Sequence, residues 1–265
     1  MYKKKSLGQH FLHNPHYLGM LADAADIQKR DAVVEIGPGE GALTKVLLER
    51  GAHVVAVEKD TRLIPLLSEK FAQEIKNEQL EVIEEDALRL NTASHLKKHA
   101  GKSSKKDTYK VVGNIPYYIT GALLRKYLTD TKQPATLVFL IQKEVAERIA
   151  RSTKESLLSL SIKAYGTPTY IKTVPRGAFN PPPAVDSAIL LVSNISRKNL
   201  KNKKLEERFF TLLHAGFAQK RKLLKRNIEK VLGSDTEKVL QDAGIPLNAR
   251  AEDVSLAQWL ALTLN

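Results

Sequence analysis

The sequence predicts an α/β fold: a mostly parallel sheet with crossover helices, closed by an antiparallel hairpin and followed by a small all-helical domain. Three observations carry this. From Val33 onward, short apolar runs alternate with stretches of helical period, the pattern of a parallel sheet whose strands are joined by helices. The last two apolar runs are separated only by a proline-rich turn region, too short for a crossover, so they form an antiparallel hairpin. After Ile195 the composition changes to a basic, polar linker, Ser196 to Lys204, and beyond it only helical patterns remain.

Taken in order, the strands expected are Ala32–Ile36, His53–Glu58, Leu80–Glu84, Tyr109–Gly113, Thr136–Ile141, Tyr170–Val174 and Ser187–Val192. The intervening helices are Ala42–Arg50, Leu63–Ile75, Ala122–Leu128, Glu144–Ala150 and Leu157–Ala164, with Leu96–Asp107 read as a polar, lysine-rich loop. The C-terminal helices are Leu205–Phe217, Lys222–Leu232, Thr236–Ala243 and Leu256–Leu264. Ser234 with Glu237 reads as a capping box, Gly244 with Pro246 as a helix stop, and Ser255 as the cap of the last helix. The expected domains are residues 1–198 and 199–265.

Composition narrows the chemistry. The 265 residues are 43% hydrophobic and 27% charged, which excludes collagen-like and wholly disordered chains. There is no cysteine, so disulfides, thiolate zinc sites, iron–sulfur clusters and cysteine nucleophiles are all excluded. No apolar run approaches the ~18 residues of a membrane span, and the basic start Met1–Lys5 is not followed by the apolar stretch of a signal peptide. A soluble, cytoplasmic, monomeric protein is expected. The net charge is +13 and it is segregated: residues 196–230 carry 12 basic and 3 acidic side chains, residues 31–95 carry 7 and 13. A polyanion-binding surface beside an acidic module explains that split; a solvated lysine-rich face is the alternative.

The run Val33-Val34-Glu35-Ile36-Gly37-Pro38-Gly39-Glu40-Gly41-Ala42 passes from strand through a glycine turn into a helix, where α/β sheets bind ligands. Gly37 and Gly39 suit close approach of a ligand to the backbone. Glu58 closes the next strand 21 residues after Gly37, in position to accept hydrogen bonds from ribose hydroxyls. A nicotinamide dinucleotide remains an alternative ligand on this spacing. Pro38 removes a donor that a pyrophosphate would use, and Glu35 places a negative charge there. Both favour a cofactor with a cationic sulfonium and no phosphate, namely S-adenosylmethionine. Asp86, at the end of the third strand, is a candidate acceptor for an adenine amine, or a turn residue.

Asn114-Ile115-Pro116-Tyr117, at the end of the fourth strand, carries the most chemical information. The exocyclic amine of adenine is a poor nucleophile because its lone pair is delocalised into the ring. The Asn114 amide oxygen and the Ile115 carbonyl can each accept one of its N–H groups and aim the lone pair at a methyl donor. Pro116 fixes the chain after that carbonyl, and Tyr117 can stack on the base. An ordinary turn is the competing reading.

Together with Leu7-Gly8-Gln9-His10-Phe11-Leu12, Gln142-Lys143-Glu144, Phe179-Asn180-Pro181-Pro182-Pro183-Ala184-Val185-Asp186-Ser187 and Arg250-Ala251-Glu252, these motifs resemble the ribosomal RNA adenine N6-dimethyltransferases over nearly the whole chain. Within that family they resemble most the bacterial small-subunit branch, which dimethylates two adjacent adenosines in the 3′-terminal hairpin loop of 16S rRNA. The resemblance implies a Rossmann-like methyltransferase sheet, S-adenosylmethionine as cofactor, and 16S rRNA within the 30S subunit or its precursor as partner. It further implies that His10, Leu12, Gly37, Gly39, Glu58, Asp86 and Asn114 hold the cofactor, while Tyr117 and Phe179 sandwich the adenine. His10 stands where many relatives have asparagine; a backbone contact survives that change and a side-chain amide contact does not. The branch that methylates 23S rRNA is the nearest rival, and a non-catalytic RNA-binding factor on the same fold is a second.

Two further groups complete the reading. Lys220, Arg221, Lys222, Lys225 and Arg226, expected on one or two helical turns, are the candidate phosphate contacts. His10, His13 and His16, and the pair His95 and His99, lack the accompanying glutamate of a zinc-binding helix, so no metal is expected.

Overall fold

The computed structural model describes residues 9–99 and 108–264. The basic start Met1–Lys5, Leu7-Gly8 of the first motif and most of the lysine-rich loop therefore lie outside the described residues. Among those described, nine strands form: β1 (Phe11–Leu12), β2 (Ala32–Ile36), β3 (His53–Glu58), β4 (Leu80–Glu84), β5 (Lys110–Asn114), β6 (Thr136–Gln142), β7 (Thr167–Val174), β8 (Phe179–Asn180) and β9 (Ser187–Ser193). The expected α/β class and all seven expected strands are present. Only β7 departs by more than one residue at a boundary, starting three residues early.

The main sheet has the order β4-β3-β2-β5-β6-β9-β7. β2 pairs in parallel with both β3 and β5, and β6 pairs antiparallel with β9. The chain thus moves outward from β2 through β3 to β4, then returns to β5 on the other side of β2. That reversal opens a crevice at the carboxyl ends of β2 and β5. The register sets Ile36 beside Val57 on one side and beside Gly113 on the other, so the glycine turn, Glu58 and Asn114 emerge at one edge. All five residues of β2 are buried. Strands covered on both faces need mainly apolar side chains, which is why β2 and β3 read as nearly continuous apolar runs rather than alternating ones.

Several elements differ from expectation for local reasons. The helix expected over 63–75 is two helices, Ile64–Lys70 and Ala72–Lys76, broken at Phe71. The Phe71 ring fills the space beside Gly41, where an added Cβ would stand 2.4 Å from it. A helix at Pro15–Ala24 starts at Asn14, whose side chain accepts from the His16 N–H. Another, Thr92–His99, takes in the first residues of the expected lysine-rich loop. The Ser234–Glu237 capping box does not form. Gly233–Asp235 is instead a 3-10 turn, and Thr236 Oγ1 donates to the Gly233 carbonyl at 2.7 Å. The Ser255 cap does form, Gln258 N–H donating to Ser255 Oγ at 3.3 Å.

The chain separates into two compact units, one of residues 1–146 and 169–195, the other of residues 147–168 and 196–265. Residues 147–168, placed by the sequence reading in the first domain, group with the C-terminal helices. The first unit buries Leu21, Leu47, Val33, Val54, Val112 and Val138 between its helices and the sheet. In the second unit Phe209, Leu213, Leu224, Ile228 and Trp259 form the centre. Gly216 is required there, since a Cβ would meet the Trp259 ring at 2.4 Å.

Candidate active site

At the carboxyl edge of the sheet the first unit holds a cavity that is open to solvent. It is lined by Gly37 and Gly39 after β2, Glu58 and Lys59 at β3, Asp86 after β4, residues 114–119 after β5, and residues 9–11. Most of the residues expected to act together are therefore brought together.

The glycine turn is tied to the end of β3. Glu58, 7% exposed, accepts the Gly39 N–H at 3.1 Å on Oε2 and the Asp60 N–H at 2.8 Å on Oε1. Burial raises its pKa, and the backbone donors oppose that rise. Gly39 has φ +59°, and a Cβ there would stand 2.7 Å from the Phe11 ring, so the turn accepts only glycine without displacing the segment across it.

Asp60 is a structural partner that the sequence reading missed. It is 3% exposed, and Arg62 Nε donates to Oδ1 at 2.8 Å while Gln9 Nε2 donates to Oδ2 at 2.8 Å. These bonds, led by the Arg62 contact, hold its carboxyl well below the usual range. The spacing Glu58-x-Asp60-x-Arg62 was the available signal. Asp86 serves in two capacities: Oδ1 accepts the Leu88 N–H at 3.0 Å, as a turn residue would, and Oδ2 pairs with Lys59 Nζ at 2.8 Å. The Lys59 contact is the main cause of its lowered pKa.

Glu35, which the sequence places as a negative charge at the turn, is 1% exposed, and burial pushes its pKa up to about 8. Burial thus favours its neutral form, with Oε2 accepting the Thr44 Oγ1–H at 2.6 Å and Oε1 buried without a hydrogen-bond partner. Its charge therefore supplies no preference for a cationic cofactor, and the acidic lining comes from Glu58, Glu85 and Asp86.

Asn114 ends β5, and its Nδ2 donates to the His10 carbonyl at 2.8 Å. That bond fixes which way round the amide lies, nitrogen toward His10 and oxygen on the other side. Pro116 follows with φ −58° and ψ 134°, and Tyr117 opens a 3-10 turn over Tyr117–Ile119. The Tyr117 hydroxyl is 2.7 Å from Ser187 Oγ at the start of β9, and burial raises its pKa. The His10 ring lies nearly parallel to that of Tyr117, at 22° and 6.3 Å between centroids.

Phe179 and Leu12 do not line this cavity. They face each other across the β1–β8 pair, 5% and 3% exposed, in the core of the first unit. Leu12 instead borders a smaller neighbouring pocket beside Gly37 and Pro38. In the second unit Lys220, Arg221 and Lys222 sit in the turn after the helix Lys203–Phe217, rather than on helical turns as expected. Lys225 and Arg226 belong to the helix Leu224–Leu232, and Lys225 pairs with Glu237. Lys220, Arg221, Lys222 and Arg226 are exposed.

The sequence model for ribosomal RNA adenine dimethylase matches residues 1–264. The chain belongs to that family. It is 39% identical over 265 residues to ribosomal RNA small subunit methyltransferase A of Dehalococcoides mccartyi, covering 98% of this chain and 87% of that protein. Among solved structures it is similar to a dimethyladenosine transferase from Plasmodium falciparum, with TM-score 0.75, 27% identity and 96% of each chain covered. It is also similar to the 23S rRNA methyltransferase ErmE, with TM-score 0.74 and 26% identity, covering 96% of this chain and 98% of that one. Family membership removes the nicotinamide alternative, and the sheet is the Rossmann-like one of rRNA methyltransferases.

Proposed function

We propose that this chain uses S-adenosylmethionine to convert two adjacent adenosines in the 3′-terminal hairpin loop of 16S rRNA into N6,N6-dimethyladenosine, acting on the 30S subunit or its precursor. The observation that carries the reading is the Asn-Ile-Pro-Tyr segment at the end of β5, with the Asn114 amide oriented by His10 at the mouth of the same cavity as Glu58 and Asp86. The residues present fit the cofactor. Glu58 accepts the Gly39 N–H on Oε2 and the Asp60 N–H on Oε1, and a carboxylate oxygen has a second lone pair for a ribose hydroxyl; Gly37, in the same turn, is only half-buried. The cofactor supplies an electrophilic methyl group.

The remaining chemistry belongs to the chain. In the first transfer Asn114 Oδ1 and the Ile115 carbonyl accept the two N6 hydrogens, and in the second one of them accepts the single hydrogen left, which draws the nitrogen toward tetrahedral geometry. Tyr117, pinned through its hydroxyl, presents a ring to the base, which must leave its stack to reach the cavity. The methylated nitrogen is acidic enough to lose its proton without a strong base. In the helical module, residues 199–265 of the expected domain division, Lys220, Arg221, Lys222 and Arg226 contact RNA phosphates. The relative named ribosomal RNA small subunit methyltransferase A, 39% identical over 98% of this chain, supports the small-subunit substrate.

The test is transfer of tritiated methyl from S-adenosylmethionine to 30S and 50S particles from cells lacking the modification. Label on 30S rRNA alone is expected. Label on 50S rRNA moves the chain to the rival branch, and RNA binding without transfer makes it a non-catalytic factor.

A further inference from the structure

Three elements meet at one residue in the first unit. The main-chain carbonyl of His10 accepts Asn114 Nδ2 at 2.8 Å, its Nδ1 is 2.9 Å from the Pro181 carbonyl, and its ring lies parallel to Tyr117. We propose that His10 is a positioning residue for methyl transfer: its imidazole, anchored on Pro181, holds its own carbonyl where it aims the Asn114 amide. This rests on the reading of Asn114 given above.

The chemistry of the contact fixes the tautomer. A proline carbonyl can only accept, so Nδ1 carries the hydrogen. Neutral imidazole and imidazolium both donate from Nδ1, so the anchor is indifferent to protonation at Nε2. The backbone around His10 has other supports. Gln9 bonds Asp60, and Phe11 and Leu12 pair with Asn180 and Phe179. Removing the imidazole therefore leaves the segment in place and loosens only the local orientation of the carbonyl. An asparagine at this position offers Nδ2 at the same remove from Cβ as histidine Nδ1, so it restores the donor without the ring. Phenylalanine restores the ring without the donor.

The experiment compares His10→Ala, His10→Asn and His10→Phe. Misaiming one acceptor at the reacting nitrogen lowers kcat about tenfold to a hundredfold in His10→Ala and His10→Phe, with KM for 30S particles and calorimetric affinity for S-adenosylmethionine little changed. His10→Asn recovers most of the loss, and its kcat–pH profile matches wild type. Recovery by phenylalanine rather than asparagine would overturn the anchor in favour of ring packing. Loss in His10→Asn together with a missing limb of the pH profile would overturn it in favour of a proton acceptor. An equal loss of cofactor affinity would make His10 a cofactor contact. A second readout does not depend on methyl transfer. The Asn114 side-chain amide signal, identified by its absence in Asn114→Ala, shifts or broadens in His10→Ala and His10→Phe and is retained in His10→Asn. An unmoved signal in all three overturns the proposal even if the chain methylates no rRNA.

Discussion

Replacing Glu35 by glutamine removes a titration that burial imposes on the sheet. Glu35 is the fourth residue of β2, 1% exposed, with Oε2 bonded by Thr44 at 2.6 Å and Oε1 buried without a hydrogen-bond partner. Desolvation is the largest cause of its raised pKa; the Thr44 bond opposes it and the neighbouring Glu58 charge adds to it. Its pKa of about 8 compares with 4.5 for an ordinary glutamate. Between those values the folded chain keeps a proton that the unfolded chain has lost, so stability falls as pH rises through the window. The slope is about 1.4 kcal/mol per pH unit, and the full loss above the folded pKa is about 5 kcal/mol. Glutamine keeps the shape and an acceptor for Thr44 and does not titrate. Urea unfolding of both proteins at pH 5, 6, 7 and 8 reads the difference, in which the contributions of groups that do not interact with Glu35 cancel. The variant gains on wild type with each step toward pH 8. Parallel stability curves across that range would refute the assignment of a buried, neutral Glu35.

Asn114→Ala is expected to lower single-turnover methyl transfer on 30S particles about a hundredfold or more while leaving RNA affinity intact; a near-wild-type rate contradicts the orienting role. Phe179→Ala removes a ring from the core of the first unit rather than from the cavity wall, so it costs about 3–5 kcal/mol of unfolding free energy, with cofactor affinity in the surviving folded protein close to wild type. Unchanged stability with weakened RNA binding would instead place Phe179 against the base. Neutralising Lys220, Arg221, Lys222 and Arg226 together flattens the salt dependence of 30S binding by about one unit of log–log slope per lost phosphate contact, and an unchanged slope shows these charges to be merely solvated.

The central strands were legible because a parallel sheet covered on both faces demands mainly apolar runs, and β2 and β3 match the sequence reading residue for residue. The site was legible in outline for a related reason: topology puts the turn after β2 and the end of β5 at the same edge, and those are where Gly37, Gly39 and Asn114 lie. β1 and β8 escaped detection because strands of two residues have no periodicity. Their pairing is what buries Phe179 and Leu12, so the placement of those two side chains was hidden with it. Glu35 shows a different limit. Its residue type is plain in the sequence, but its charge state follows from burial, which the sequence does not display. The Lys220–Lys222 cluster continued a run of good helix formers, yet Asn227 Nδ2 bonds the Gly216 and Gln219 carbonyls, and the chain there turns instead.

The most direct measurement is mass mapping of methylated nucleosides in 16S rRNA, using 30S particles from a strain lacking the modification, incubated with this chain and S-adenosylmethionine. The wild-type chain is expected to leave N6,N6-dimethyladenosine at two adjacent positions of the 3′-terminal hairpin, and Asn114→Ala unmodified adenosine there. Methylation at another base or in 23S rRNA, or full dimethylation by the Asn114 variant, would contradict the proposed function.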